Sequence, residues 1–542
     1  MKHVLLLSAP YINVLMSPQA PLPVLVGHLR MNGYLVEQYD LNIEHFNNFL
    51  RGYTVRCLGD VTLNVSKFHE LFFELAFDTL NNLFNEIKDA YFDTAFKNMH
   101  EVNISYGLGW EYINIHQLLD NLKDKDLLTN TLLNSGVYHY LKEKPPLIGF
   151  SISHSRQLAA TLFYCKTIKE SFNAKIVLGG IYASYLVDFL NEKQQKDIFE
   201  YCDCIVFGEG ETALNLLAEY YVNGNGCLEK IPNLCYLSDS GNIVKNASYH
   251  LENIDELAPP DFTDINFDLY LSPERMIPYQ ASRGCCWGKC AFCSVCKYDR
   301  THYRAKSSKK VLDDLVSIRA VSHYSSFHFT DYTLEANHFV AIVDEMDKCE
   351  NFNNVKWSCF LRFHSIYNDT LMSKARKNGY ELANLGIETF NCWLSNMIKK
   401  GININDIERN LQIFKRNKIK TLVYMLVGLP SQTADDMRKD VKELIRLSDL
   451  IDVVYIFKFE PHKTTDMYNE PEKYNIICIN EKDHEFTHHK DGKEINYSEI
   501  TDIEMNEIRP SVDKVFNTNN KLIAFLRNDV SSNKGRIIDV SQ

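Results

Sequence analysis

Short apolar runs and longer amphipathic runs take turns along most of this chain. KHVLLLSAP (2–10) is apolar without a break up to its proline, the pattern of a strand covered on both faces. PLPVLVGHLRMNGY (21–34) carries apolar residues at helical spacing and stops at Gly33, and LVEQYDLN (35–42) reads as a second strand. Together they predict a β-α-β unit of the doubly wound kind. Residues 55–142 break the rhythm. FHELFFELAFDTLNNLFNEIKDAYF (68–92) and YINIHQLLDNLKDKDLLTNTLL (112–133) are helical, so a helical insertion is expected there, its aromatics forming core or lining a cavity.

The alternation then resumes. LIGFSIS (147–153), KIVLGG (175–180) and CIVFGEGE (204–211) read as strands, with helices over 156–172, 184–193 and 212–221 between and after them. Five strands with intervening helices predict an open parallel sheet that binds ligands beyond its strand C-termini. PNLCYLSDSGNIVKN (232–246) predicts a hairpin, and the Pro- and Asp-rich stretch 256–274 a linker. A second β/α series follows, with strands at 277–283, 325–331, 355–362, 382–389, 419–430 and 453–461: six strands with barrel-like rhythm. The expected architecture is therefore α/β throughout. A doubly wound domain occupies 1–255, a linker 256–274, a partial (β/α)6 barrel 275–475 and a small polar region 476–542.

Bulk chemistry narrows the function. At 542 residues with a net charge of −12, the chain is too acidic for bulk electrostatic binding of nucleic acid. No apolar run reaches the ~18 residues of a membrane span, and the N-terminal run reads as a buried strand rather than a signal peptide. A cytoplasmic protein without disulfides is expected, which turns attention to its 15 cysteines. Five of them fall in RGCCWGKCAFCSVCKY (283–298): Cys285, Cys286, Cys290, Cys293 and Cys296.

Cys286, Cys290 and Cys293 are spaced C-x3-C-x2-C. Three thiolates on a [4Fe-4S] cluster would leave one iron open to a substrate. Two other readings stay open on spacing alone. A structural zinc needs a fourth ligand, for which Cys202 and Cys204, expected on one face of a strand, are the nearest candidates. A closed electron-transfer cluster would also use Cys296.

RGCCWGKCAFC resembles the C-x3-C-x-aromatic-C signature of the radical S-adenosylmethionine (SAM) enzymes, with Phe292 in the aromatic place. HFTD, ending at Asp331, SCFLR, ending at Arg362, NLGIET, with Glu388 and Thr389, and YMLVGLP, with Gly428, resemble the strand-end motifs of that family in the same order. The resemblance covers about residues 275–475. It implies that Cys286, Cys290 and Cys293 hold the cluster and that Phe292, Asp331, Arg362, Glu388 and Gly428 serve SAM. It also implies a one-electron donor such as flavodoxin or ferredoxin, and a 5′-deoxyadenosyl radical that takes hydrogen from an unactivated carbon.

A doubly wound domain ahead of such a barrel resembles the cobalamin-binding class of the family. GFSISHS, LGG and FGEGE then imply cobalamin contacts from Ser151, Ser153, Gly179, Gly180, Gly208, Glu209 and Glu211. None of the 18 histidines follows the D-x-H-x-x-G pattern of a cobalt lower ligand, and His154 is expected to cap a turn. The resemblance implies C-methylation through methylcobalamin. Cyclisation or rearrangement with the same cofactors, and a non-catalytic cobalamin or redox sensor, remain alternatives. The Cys286-Trp287 pair resembles members that modify ribosomal peptides, so the expected substrate is a peptide or another small molecule, with no nucleic acid or membrane partner.

Overall fold

The computed structural model describes residues 3–12, 15–75, 77–97, 113–172, 174–272, 274–293, 295, 302–349, 352, 354–460, 462–480, 485–490, 493–496, 503, 507 and 508. The chain divides into two compact units: Met1–Arg275 with Ser317–His323, and Met276–Val316 with Tyr324–Gln542.

The first unit is built on a seven-stranded sheet: β1 (His3–Ser8), β2 (Leu35–Asp40), β3 (Leu147–Ser151), β4 (Lys175–Gly179), β5 (Cys204–Val206), β6 (Leu234–Leu237) and β7 (Ile243–Lys245). Every residue of β1 is buried, as its unbroken apolar run requires. The strand order is β2-β1-β3-β4-β5-β6-β7. The first five are parallel, and their order reverses between β1 and β3. Such a reversal opens a crevice at the carboxyl ends of the two central strands.

The hairpin read at 232–246 does not stand apart. It extends the sheet, with β6 antiparallel to β5, so the sheet is mixed rather than all parallel. The hairpin covers the edge that the three-residue β5 would otherwise expose. Cys202 precedes β5 and does not share it with Cys204. Cys202 Sγ donates to Ile198 O, and Cys204 Sγ pairs with the Tyr221 hydroxyl, so each thiol is engaged in its own surroundings.

Helices Pro21–Met31 and Glu211–Asn223 share one core with the sheet through Val26, Leu29, Leu214 and Leu217 against Val4, Leu6 and Val177. The irregular stretch 256–274 is clasped to this unit. Arg30 grips Asp261 at 2.8 Å and Asp264 at 2.5 Å, and the Tyr270 hydroxyl donates to the buried Asp40 at 2.8 Å. The insertion is helical at Val65–Glu74, Phe77–Ala95, Ile115–Asn121, Lys125–Asn134 and Val137–Lys142. Tyr91 and Phe96 there close on Tyr11 and Phe46 as fully packed core.

Helix Glu192–Phe199 starts with a reciprocal cap. The Asn191 side chain accepts from Gln194 N, and Gln194 Oε1 accepts from Asn191 N. Asn191→Ala lowers stability by about 1 kcal/mol. This is read as a lower urea midpoint at unchanged slope.

The second unit holds a six-stranded, wholly parallel sheet: β8 (Ile277–Tyr279), β9 (Ser326–Phe329), β10 (Lys356–Leu361), β11 (Tyr380–Glu388), β12 (Lys420–Val427) and β13 (Val453–Lys458). The strands lie in sequence order with no reversal. Helices Ala336–Lys348, Asp369–Lys377, Ile404–Arg416 and Ala434–Arg446 return the chain between them. Trp357, Tyr380 and Phe339 pack together on the helix-covered face, none more than 1% exposed. Beyond the sheet, Ile476–Asn480, Glu485–Lys490 and Lys493–Asn496 form a small antiparallel sheet that includes His488 and His489. Among the described residues no helix is long and apolar enough to cross a membrane.

Candidate active site

The cysteine loop leaves β8 through a short strand, Ser282–Arg283, paired with Arg304–Ala305. Four ties fix it. The Asp331 carboxylate, just past β9, accepts from Ser282 Oγ and from Ala281 N, and its burial raises its pKa. Ala291 N donates to Ile398 O at 2.9 Å, Ala291 O accepts from Met467 N at 3.2 Å, and Trp287 Nε1 donates to Lys399 O at 2.8 Å. The indole lies where a Cβ at position 401 would be, and Gly401 has φ +66°, so only glycine suits that place. Phe292 turns into an apolar cluster with Ala291, Ile398, Leu429, Phe459 and Met467. The aromatic position of the motif thus anchors the loop from below.

Cys286, Cys290 and Cys293 are half-buried on this loop. Burial pushes the Cys286 thiol up to about 12, while Arg362 pulls it down. Cys290 is likewise raised by burial, and Lys400 and Arg362 oppose the shift. Arg362 and Lys400 thus favour the thiolate form, which suits an anionic cluster, while Glu335 opposes it at Cys286 and Glu388 at Cys290. Thiolates on one zinc ion stand about 3.8 Å apart, from a Zn–S bond of ~2.3 Å. Among the described residues, the set of three donors that converge within 4.8 Å is His116, Asp197 and Glu200, in the other unit, and not these thiols. The three thiols are therefore not gathered as closely as around a single zinc ion. Cys285 Sγ accepts from Gly288 N at 3.4 Å. Cys296 lies outside the described residues.

The strand ends complete the site. Arg362, after β10, donates to Lys400 O and lies over the Trp287 ring at 4.7 Å. Glu388 ends β11 after a register shift, with φ +68°, and its Oε1 meets Lys400 Nζ at 2.7 Å. Both partners are about nine-tenths buried. Gly428, at φ +72°, turns the chain after β12. There Leu429 N donates to Gln432 Oε1, and Gln432 Nε2 donates to Asp440. Asp440 also accepts from Thr389 Oγ1 and Phe390 N, both at 2.8 Å, which ties the Thr389 motif to the Gly428 motif.

Burial raises the Asp440 carboxyl from 3.8 to about 6, against the pull of these donors. The folded state then holds that proton more tightly than the unfolded chain. Its contribution to stability is fully present below pH 3.8 and is lost as pH rises through 6. In Asp440→Asn the fall in stability between pH 4 and 6 flattens, as pH-dependent thermal unfolding will read.

Lys400, Trp287 and Gly401 were not singled out as site residues by their sequence. The signal present was Lys-Lys-Gly at 399–401, just after helix Cys392–Met397, an ordinary glycine stop. Trp287 serves the loop's own docking, so the Cys-Trp pair has a local reason independent of the substrate.

In the first unit the loops after β3, β4 and β5 carry the other group of expected residues. Ser151 pairs in register with Ser8 and Gly179. Its Oγ is buried with no hydrogen-bond partner, and the residue is 6% exposed. A Cβ at Gly179 would meet nothing within 4 Å, so the backbone there borders open space. Ser153 Oγ donates to Gln19 Oε1 at 2.9 Å, and Gln19 Nε2 donates to Ser8 Oγ. Gly180 has φ +94°, and its missing Cβ makes way for Ile152 O. The Gly208 N–H donates to Ser184 Oγ, Glu209 Oε2 accepts from Glu252 N, and Glu211 is buried in the first turn of its helix. His154 Nδ1 accepts from Arg156 N at 3.2 Å, a turn-capping contact. An orphaned hydroxyl and an open glycine edge at the crevice between reversed strands fit a large ligand. Ser153, Gly180, Gly208 and Glu209 shape that edge through contacts within the chain.

Residues 279–444 match the family model of the radical SAM superfamily. The chain is 26% identical over 329 residues to the anaerobic magnesium-protoporphyrin IX monomethyl ester cyclase of Rubrivivax gelatinosus, covering 58% of this chain and 57% of that one. It is 22% identical over 353 residues to the hopanoid C-3 methylase of Methylococcus capsulatus, covering 60% and 61%. Both matches span less than two thirds of the relatives' lengths. Among solved structures, the radical SAM methyltransferase TsrM from Kitasatospora setae, with cobalamin and a [4Fe-4S] cluster bound, aligns with TM-score 0.55 at 17% identity. That alignment covers 86% of this chain and 77% of TsrM. The cobalamin-dependent enzyme OxsB, with aqua-cobalamin and SAM bound, aligns with TM-score 0.56 at 16% identity, covering 87% and 54%. At such identities the likeness is one of fold. Residues 279–444 thus carry a radical SAM domain, and the chain shares the fold of TsrM and OxsB over most of its length.

Proposed function

We propose that this chain is a cobalamin-dependent radical SAM enzyme that methylates an unactivated carbon of a peptide or other small molecule. The observation that carries the reading is the half-buried loop of Cys286, Cys290 and Cys293, docked through Trp287 beside Arg362 and the Glu388–Lys400 pair at the carboxyl ends of the parallel strands. When bound, a reduced [4Fe-4S] cluster with SAM supplies a 5′-deoxyadenosyl radical, and cobalamin supplies the methyl group.

The chain's own part is to hold and orient. Cys286, Cys290 and Cys293 ligate the cluster. Phe292 and Trp287 keep the loop in place, and Asp331 clamps its entry. Arg362 and the Glu388–Lys400 pair set charge beside the thiols, where the polar end of SAM needs it. Ser151, Ser153, Gly179, Gly180, Gly208, Glu209 and Glu211 line or shape the loops that take cobalamin. An electron donor such as flavodoxin or ferredoxin reduces the cluster. The partial (β/α)6 barrel is the scaffold of the chemistry, and the doubly wound sheet that of cobalamin.

Anaerobic reconstitution with cobalamin, SAM and a one-electron reductant tests this. The expected products are 5′-deoxyadenosine, S-adenosylhomocysteine and a substrate heavier by one methylene. Ring closure without methyl transfer is the second reading, favoured by the cyclase among the relatives. A product with no added methylene would select it. Absence of 5′-deoxyadenosine with both cofactors loaded would sink both.

A further inference from the structure

The sheet of the second unit has two unlike faces. On the helix-covered face Tyr279, Phe329, Trp357 and Tyr380 are at most 1% exposed. On the opposite face Phe360, Tyr424, Tyr455 and Phe457 are only half-buried. These four are grouped. The Phe360 and Tyr424 rings lie 5.7 Å apart with 24° between planes, and Tyr424 and Phe457 lie 5.9 Å apart with 18°. Tyr455 adjoins Tyr424 at 5.9 Å.

Strand pairing explains the grouping. Phe360 is on β10 and Tyr424 on β12, two strand spacings apart, or about 9.6 Å. Their rings come together above β11, where Tyr424 is registered with Gly386, which has no side chain. The space a Cβ would take at Gly386 holds the Glu388 carboxylate and the Lys400 ammonium. The rings therefore form a nearly flat platform bordering the ion pair, and Lys400 adjoins the cysteine loop, since Trp287 Nε1 donates to Lys399 O and the indole fills the Cβ place of Gly401. Grouped, half-bare aromatic rings next to a reactive centre mark a binding wall rather than core.

We propose that Phe360, Tyr424 and Phe457 form the substrate wall of this site and select a planar, unsaturated ring system. The proposal rests on the radical SAM reading above and names the substrate class of that same site. Near-parallel rings offer an offset-stacking surface that a flat π-system matches. A saturated ring holds its axial hydrogens against the wall and loses that contact.

The test uses the full chain and a pair of probes, 2-naphthol and decahydro-2-naphthol, in equilibrium dialysis. The saturated probe is at least as apolar, so any preference isolates stacking. The wild type is expected to bind 2-naphthol about tenfold more tightly, the size of a stacked contact with two rings. Tyr424→Leu cuts the ratio below about threefold, and Tyr424→Phe keeps it. If circular dichroism shows Tyr424→Leu misfolded, Phe457→Leu takes its place. Equal binding of the two probes, binding of neither, or a ratio unchanged in the Leu variant would overturn the wall. Release of 5′-deoxyadenosine by the reconstituted wild type, measured without probe, reports separately on the radical SAM reading. Either can fail while the other stands.

Discussion

Replacing any one of Cys286, Cys290 or Cys293 by Ala is expected to abolish reductive SAM cleavage and the cluster's visible absorption. The loss in 5′-deoxyadenosine formation should reach a thousandfold or more, about 4 kcal/mol of barrier. The ground is chemical. Each iron bound by the protein needs a thiolate, and a methyl group offers no lone pair. Cys285 is the internal control. It is adjacent in sequence, yet its sulfur accepts one long bond from Gly288 N at 3.4 Å. Sulfur is a weak acceptor. Losing that bond costs about 0.5–1 kcal/mol of local order, so Cys285→Ala should keep cleavage within about threefold. Cys296→Ala decides between the open and the closed cluster. Retained cleavage fits three ligands and an open iron. No cleavage by the wild type with a cluster assembled, and cleavage gained in Cys296→Ala, would mean that a fourth thiolate closes the cluster, and radical chemistry at an open iron in this chain would fall.

How far the sequence spoke for itself differs between parts of the chain. The strands β1, β3 and β4 were legible because parallel strands covered on both faces are written as largely apolar runs, and β9–β13 because short apolar-rich runs alternate there with amphipathic helices. The hairpin 232–246 was legible as a hairpin, but its joining of the sheet edge was not. That depends on how short β5 turned out to be, three residues where the apolar pattern allowed more. The stretch 256–274 read as a tether from its prolines. Nothing local announces that Arg30, more than two hundred positions earlier, clasps its aspartates. The site shows the same divide. The three cysteines and the strand-end Asp331, Arg362 and Glu388 carry motifs. Lys400 carries none, because its meaning comes from a partner twelve residues away across a bend, and pairing of that kind is settled by the fold. Trp287 could be seen, but its fit over Gly401 could not.

Lys400→Met is expected to destabilise the second unit by about 3–5 kcal/mol, far more than an exposed lysine would. The Glu388–Lys400 contact is 2.7 Å long, and each side chain is 10% exposed. Attraction between the two charges offsets their loss of water. Removing one partner leaves a carboxylate buried without its cation. Glu388→Gln strands the lysine instead, but keeps an oxygen to accept its hydrogen bond, so its cost should be smaller, about 1–3 kcal/mol. The double variant should recover much of the loss, since a neutral pair of similar volume pays neither desolvation penalty. Tryptophan fluorescence in urea follows this unit selectively, because Trp287, Trp357 and Trp393 all belong to it and Trp110 alone does not. A double-mutant cycle on those midpoints gives the coupling energy directly. A coupling below about 0.5 kcal/mol would show that the pair is solvated and screened, and that the charge beside Cys290 is not the fixed one inferred from its burial. A coupling of several kcal/mol would show the reverse. The lysine would then be held beside the thiols by the fold itself, before any cluster or SAM is bound.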